Sequence, residues 1–195
     1  MTAPKKIGLF FGSFNPVHTG HMIIANYMAT QTDLSEVWLV VTPHNPLKKR
    51  ENLLSDTDRL RMVELAVGNR DHLRASNIEF ALPKPSYTID TLAHLSEKYP
   101  KKKFVILMGG DNLATLDKWK NYEQILQNYE IYVYKRPNVE NGPFHDHPSV
   151  KFFHAPQLEL SSTYIRNCIA SQKPISYLVP EVVENYIDQH HLYKK

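Results

Sequence analysis

The sequence predicts an α/β fold: a doubly wound, mainly parallel sheet with a small helical part at its C-terminal end. Three observations predict it. Short apolar, β-rich runs with little polar alternation recur along the chain, as expected of strands buried on both faces. Longer helical patterns separate them, and that alternation implies parallel strands joined by crossover helices. Beyond residue 158 the strand pattern stops and two helical stretches close the chain. A chain of 195 residues can bury roughly 70 % of its unfolded surface in one domain. Residues 1–195 are therefore expected to form a single domain, with the helical subregion covering about 158–195.

The elements follow in order. "KIGLFFGSF" (Lys6–Phe14) and "EVWLVVT" (Glu36–Thr42) read as buried strands, with a helix expected between them over Thr19–Thr30. A second helix is expected over Asp56–Val67, where Ser55 and Asp58 supply an S-x-x-D start signal. "HLRASNIEF" (His72–Phe80) reads as a weaker strand, followed by a helix over Thr88–Glu97. "KKFVILMGG" (Lys102–Gly110) and "YEIYVYKR" (Tyr129–Arg136) read as strong strands flanking a helix over Lys118–Gln127. Lys135–Val150, rich in Pro, Asn and Gly, reads as a surface loop. Ser161/Ser162 and Pro180 each open a C-terminal helix.

Composition excludes several classes. Hydrophobic residues make up 42 % and charged residues 22 %, ordinary for a globular protein, and the formal net charge is +3. That mild bias suits anionic small molecules but not a nucleic-acid partner. Cys168 is the single cysteine, so no intrachain disulfide is possible, and a reducing compartment fits best. No apolar run approaches the roughly 20 residues that span a bilayer. A cytoplasmic protein without membrane partners is expected. A homo-oligomer is left open.

In open α/β sheets ligands sit beyond the carboxyl ends of the strands. The segments just after each predicted strand are unusually polar: Gly12–His21, Pro43–Arg50, Pro83–Thr88, Gly109–Asn112 and Lys135–Pro137. None carries the Gly-Lys-Ser/Thr loop by which many polyphosphate binders are recognised. His18 and His21 alone are a weak signal, since a zinc site needs more ligands. No metal site is expected, and His145-Asp146-His147 reads as a solvated loop.

"GSFNPVHTGH" (Gly12–His21) resembles the (H/T)-x-G-H signature of the nucleotidylyltransferase superfamily, and "LSSTYIR" (Leu160–Arg166) its I-S-S-T-x-x-R signature. "PSYTIDTL" (Pro85–Leu92), "GGDNLATLDKWKNYEQIL" (Gly109–Leu126) and "LVPEVVENYIDQHHLY" (Leu178–Tyr193) narrow the resemblance to bacterial nicotinate mononucleotide adenylyltransferases. The resemblance leaves only Asn138–Ser149 unmatched. It implies a Rossmann-like fold, ATP and nicotinate mononucleotide as substrates, and deamido-NAD and pyrophosphate as products. This chain has Asn15 where many members have Asp, and Phe11-Gly12 where many have Gly-Gly. Related adenylyltransferases with an amide or phosphopantetheine acceptor, and a nucleotide-binding regulator without turnover, are the alternatives.

The implied attack comes from a phosphomonoester, which is already anionic at neutral pH and needs no general base. Catalysis then rests on positioning and on cancelling charge at the α-phosphate and the leaving pyrophosphate. The resemblance assigns catalytic roles to His18, His21, Arg166 and Lys48. ATP is expected against Gly12, Ser13, Phe14, His18, Gly20, His21, Gly109, Asp111, Ser161, Ser162, Thr163 and Arg166. Gly20 would let backbone approach a phosphate, free N–H groups at the following helix start would favour an anion, and phosphate charge would push the histidines toward imidazolium. The plain alternative is that His18 and His21 only cap that helix, that Ser161 is an ordinary N-cap and that Arg166 is solvated. The pyridine nucleotide is expected against Asn15, Asn45, Lys48, Tyr87, Thr88, Asp111, Trp119 and Arg136. There Tyr87–Thr88 N–H groups would take the nicotinate carboxylate, and Trp119 would stack on the ring. Mg²⁺ is expected to arrive with ATP rather than in a protein cage. Cys168 is expected to be half-buried on its helix.

Overall fold

Apolar side chains on the strands alternate between two cores, and this places helices on both faces of the sheet. The computed structural model describes residues 5–44, 53–134, 143–156 and 158–194. Strands β1 (Lys6–Gly12), β2 (Glu36–Val41), β3 (Leu73–Ser76), β4 (Lys103–Gly109), β5 (Glu130–Tyr134) and β6 (Val150–Phe153) form one sheet in the order β3-β2-β1-β4-β5-β6. Every pairing is parallel. The order reverses between β1 and β4, so a crevice opens beyond their carboxyl ends.

Val37, Leu39, Val105, Leu107 and Tyr132 point into one core, beneath α1 (Thr19–Gln31), α2 (Asp56–Val67), α6 (Ser162–Ala170) and α7 (Glu181–Gln189). Ile7, Leu9, Trp38, Ile106 and Val133 point into the other, beneath α3 (Thr88–Lys98) and α5 (Tyr122–Asn128). Burying each such side chain stabilises the fold by about 1.5–3 kcal/mol. Ser55 starts α2 as its sequence signal predicts, its Oγ accepting from Asp58 N at 3.0 Å. Cys168 is buried rather than half-buried, because α6 lays that face on the first core.

Three elements differ from expectation. The third strand stops at Ser76, and Ile78–Ala81 forms a 3₁₀ turn that carries Glu79 into the interior. The helix expected over Lys118–Gln127 begins at Tyr122, because Asn121 takes a left-handed φ of 52°. Residues 116–118 form a separate 3₁₀ turn. The short edge strand β6 follows the region read as loop; four residues bounded by polar segments give too little periodicity to mark it. α4 (Gly110–Leu113) is a single turn directly after β4.

Candidate active site

Two cavities occupy the crevice. One, of about 400 Å³, runs from the end of β1 to the starts of α1 and α6. The other, of about 640 Å³, runs toward the start of α3 and the Trp119 turn. They share a wall made by Phe11, Gly12, Ser13 and Asn112.

The loop after β1 is held from several directions. Phe14 takes a left-handed φ of 44°. A Cβ on Gly12 would meet the Phe14 ring at 2.9 Å, so glycine is required there by packing. The Phe14 ring is buried and packs edge-on against His21, with centroids 5.1 Å apart. It supports His21 from within the smaller cavity's wall. Arg59, fully buried, donates to the carbonyls of Ser13 (2.6 Å), Thr42 (2.9 Å) and Leu54 (3.2 Å) and pairs with Asp56 at 2.6 Å. Sequence reasoning missed it.

His18 and His21 cap α1 and also line the smaller cavity. They cap α1 reciprocally: His21 N donates to His18 Nδ1, and His18 N donates to His21 Nδ1, each at 3.3 Å. The rings stack with centroids 3.6 Å apart, and both line the smaller cavity. An Nδ1 that accepts a hydrogen bond leaves the ring proton on Nε2. Burial lowers the His18 pKa to about 4. In the ligand-free protein His18 is thus a neutral donor; the imidazolium expectation concerns the phosphate-bound site. The α1 start is also less open than expected. Thr19 N donates to Leu178 O at 3.0 Å and Met22 N to His18 O at 3.2 Å. Gly20 N keeps no partner among the described residues. A Cβ on Gly20 would press on the His18 ring at 3.2 Å.

Opposite, Ser161 caps α6 by accepting from Tyr164 N at 3.2 Å. Ser162 Oγ donates to Pro16 O (2.9 Å), and Arg166 donates to Asn15 O (2.8 Å) and Thr163 Oγ1 (3.2 Å). These contacts dock α6 onto the β1 loop and bring Ser161, Ser162, Thr163 and Arg166 into the smaller cavity's wall. Asn15 is buried; its Oδ1 accepts from Tyr193 OH at 2.8 Å and from Leu54 N at 3.3 Å. The C-terminal tail thereby reaches the loop, a contact that no local pattern announces.

Tyr87, Thr88 and Trp119 come together in the larger cavity. Tyr87 occupies the N-cap position of α3 without a side-chain cap, and its carbonyl takes the N–H groups of Asp90 and Thr91. The Thr88 and Ile89 N–H groups keep no partner among the described residues. Trp119 is half-buried. Asn112 lines both cavities, whereas Asp111 lines neither. Gly109 ends β4, where a Cβ would strike the Asp111 carboxyl and the Tyr134 ring. Asn45, Lys48 and Arg136 lie outside the described residues. Among the described residues no group of three or more His, Cys, Asp or Glu side chains could hold a metal ion, and no helix is long and apolar enough to cross a membrane.

Residues 9–168 match the cytidylyltransferase-like family. The chain belongs to that family. Several relatives carry the name "Probable nicotinate-nucleotide adenylyltransferase", among them two at more than half identity over nearly the whole chain. One, from Cytophaga hutchinsonii, is 55% identical over 182 residues, covering 93% of this chain and 95% of the relative. The other, from Flavobacterium psychrophilum, is 53% identical over 192 residues, covering 97% of this chain and 100% of the relative. The solved structure of the Plasmodium falciparum nicotinic acid mononucleotide adenylyltransferase complexed with NaAD shares the fold. Its TM-score is 0.82 at 19% identity, with 97% of each chain covered. A family of nucleotide-transferring enzymes accounts for a crevice built around helix starts.

Proposed function

We propose that this chain transfers the AMP moiety of ATP to nicotinate mononucleotide, forming deamido-NAD and releasing pyrophosphate in NAD biosynthesis. The observation that carries the reading is the shared wall of Gly12, Ser13 and Asn112 between two cavities of different chemistry. The smaller cavity gathers donors from two helix starts, His18 and an arginine, as a polyphosphate requires. The larger has an uncapped helix start and a tryptophan, as an aromatic ring bearing a carboxylate requires. Their shared wall is where the acceptor phosphate and the α-phosphorus meet.

The acceptor phosphate attacks the α-phosphorus, the bond to the β-phosphate oxygen breaks, and the electron pair leaves with pyrophosphate. No residue needs to remove a proton, because the attacking phosphate is already anionic. His18 and His21 donate from Nε2 to α- and β-phosphate oxygens, and Arg166 with the Ser161–Thr163 turn receives the leaving pyrophosphate. Asn45, Lys48 and Arg136 are assigned by resemblance alone: Lys48 to phosphate, Asn45 and Arg136 to the pyridine nucleotide. The smaller cavity has no carboxylate in its wall among the described residues. This donor set fits Mg²⁺ carried on the nucleotide's own phosphate oxygens rather than held by side chains. When bound, the ion neutralises charge on those phosphates.

The test is pyrophosphate release from Mg-ATP with nicotinate mononucleotide and, separately, its amide. Turnover with strong preference for the acid is the expected result. Release with neither acceptor, despite ATP binding, would overturn the reading in favour of another acceptor or a nucleotide sensor.

A further inference from the structure

Among the described residues three buried side-chain polar atoms have no hydrogen-bond partner: Glu79 Oε2, Ser86 Oγ and Trp119 Nε1. All three residues line the larger cavity. An unpaired buried polar atom costs stability unless something supplies its partner, so this coincidence marks the cavity that all three line as a binding surface. Among the described residues Glu79 is its one carboxyl, and it is almost wholly enclosed, at 2% exposure. Its Oε1 accepts from Thr91 Oγ1 at 2.8 Å, and the same hydroxyl lies 3.3 Å from Tyr87 O. The carboxyl therefore stands one hydroxyl away from the α3 start that receives the substrate's ring substituent.

We propose that Glu79 sets the acid-over-amide choice of this cavity through the charge on its own carboxyl. The inference rests on reading the cavity as the pyridine-nucleotide subsite. A neutral Glu79 offers a donor to a ring carboxylate. An ionised Glu79 repels that carboxylate and accepts from the amide NH₂ instead. Burial raises the Glu79 pKa, while the hydrogen bond from Thr91 opposes that rise.

The two substrates make the test specific. Nicotinate mononucleotide and its amide carry the same phosphate, ribose and ring, so ionisation of those parts cancels in the ratio of their kcat/KM values. Other polar or charged groups face the same region. They are Thr42 at the end of β2, His44 whose carbonyl accepts from Ser86 N, Lys118 and Lys120 in the cavity wall, and Asp90 paired with Lys120. All remain in E79Q, so comparison with that variant isolates Glu79.

The acid/amide ratio of kcat/KM is measured from pH 6.5 to 9 for the wild type and E79Q, with ATP saturating. In the wild type the ratio should fall with rising pH, on the order of tenfold, as a like charge develops beside the substrate carboxylate. In E79Q it should stay high and flat. A flat wild-type ratio overturns the proposal whether or not the variant folds, and so do identical ratios for both proteins at every pH. Turnover of both nucleotides with either of those results leaves the adenylyltransferase reading intact. Turnover of neither overturns both.

Discussion

His18 and His21 hold each other's backbone N–H at 3.3 Å and stack their rings at 3.6 Å, so the cap of α1 and the wall of the smaller cavity are one object. The helix start fixes both tautomers before any nucleotide arrives. Donors fixed in advance need no reorganisation as charge moves to the leaving group.

Replacing His18 separates its two jobs. His18→Ala should lose about 1 kcal/mol of stability with the cap. Turnover should fall on the order of 10²–10³, as for one lost transition-state donor. His18→Asn should restore the cap, since Asn is a strong N-cap residue, but not the turnover. Urea unfolding and steady-state pyrophosphate release read the two effects. A fully active His18→Ala protein would remove His18 from the chemistry.

Burial of His18 also writes a pH dependence into stability. Unfolded histidine binds its proton near 6.5, whereas folded His18 resists protonation down to about 4. Between those values the unfolded state holds more protons, so stability rises with pH. The contribution is fully present above about 6.5 and is lost as pH falls toward 4, on the order of 3 kcal/mol in all. His18→Asn should flatten this part of the profile. Equal acid-side slopes for the two proteins in urea titrations would assign the loss to other groups.

Arg59 shows where sequence reading stops. In "DTDRLRMVEL" it reads as one more charged residue on the exposed face of a helix. The carbonyls of Ser13, Thr42, Pro43 and Leu54, from three separate segments, draw the guanidinium inside, and none is near it in sequence except that of Leu54. Glu79 was hidden similarly, read as strand until the chain turned after Ser76. Tyr193 reaches Asn15 from the far end of the chain. By contrast, β1, α1, α2 and the helix-start serines were legible, because local periodicity and capping chemistry specify them. The motif residues were legible too, but not their tautomers or which cavity wall each would join.

Arg59→Leu should therefore destabilise the protein by about 3–5 kcal/mol, since it strands buried carbonyls and breaks the pair with Asp56. Arg59→Lys should recover little, because an ammonium cannot span the same carbonyls as the planar fork. Urea midpoints measure both. A loss under about 1 kcal/mol for Arg59→Leu would show that water or a rearranged loop replaces the guanidinium.

Tyr193→Phe keeps the ring and removes the hydrogen bond to Asn15. About 1 kcal/mol of stability should go with it. A severalfold fall in kcat with unchanged KM for ATP is expected if the bond positions the β1 loop. Loss of stability with kcat intact would make Tyr193 an anchor for the tail only.

Trp119 offers the clearest separation of the two cavities. Its side chain lines the larger cavity and not the smaller. A stacked aromatic contact contributes about 0.5–1.5 kcal/mol beyond area burial, and the pyridinium of the mononucleotide is cationic, so the indole face adds a further ~1–2 kcal/mol when desolvated. Trp119→Ala should then raise KM for nicotinate mononucleotide by roughly 10- to 100-fold, while KM for ATP holds. Trp119→Phe should recover part of the loss, because a smaller ring still stacks. Steady-state kinetics with each substrate varied against saturating partner decides it. A matched rise in both KM values would mean that the substitution collapses the wall at Gly12, Ser13 and Asn112, which both cavities share, rather than removing a stack from one of them.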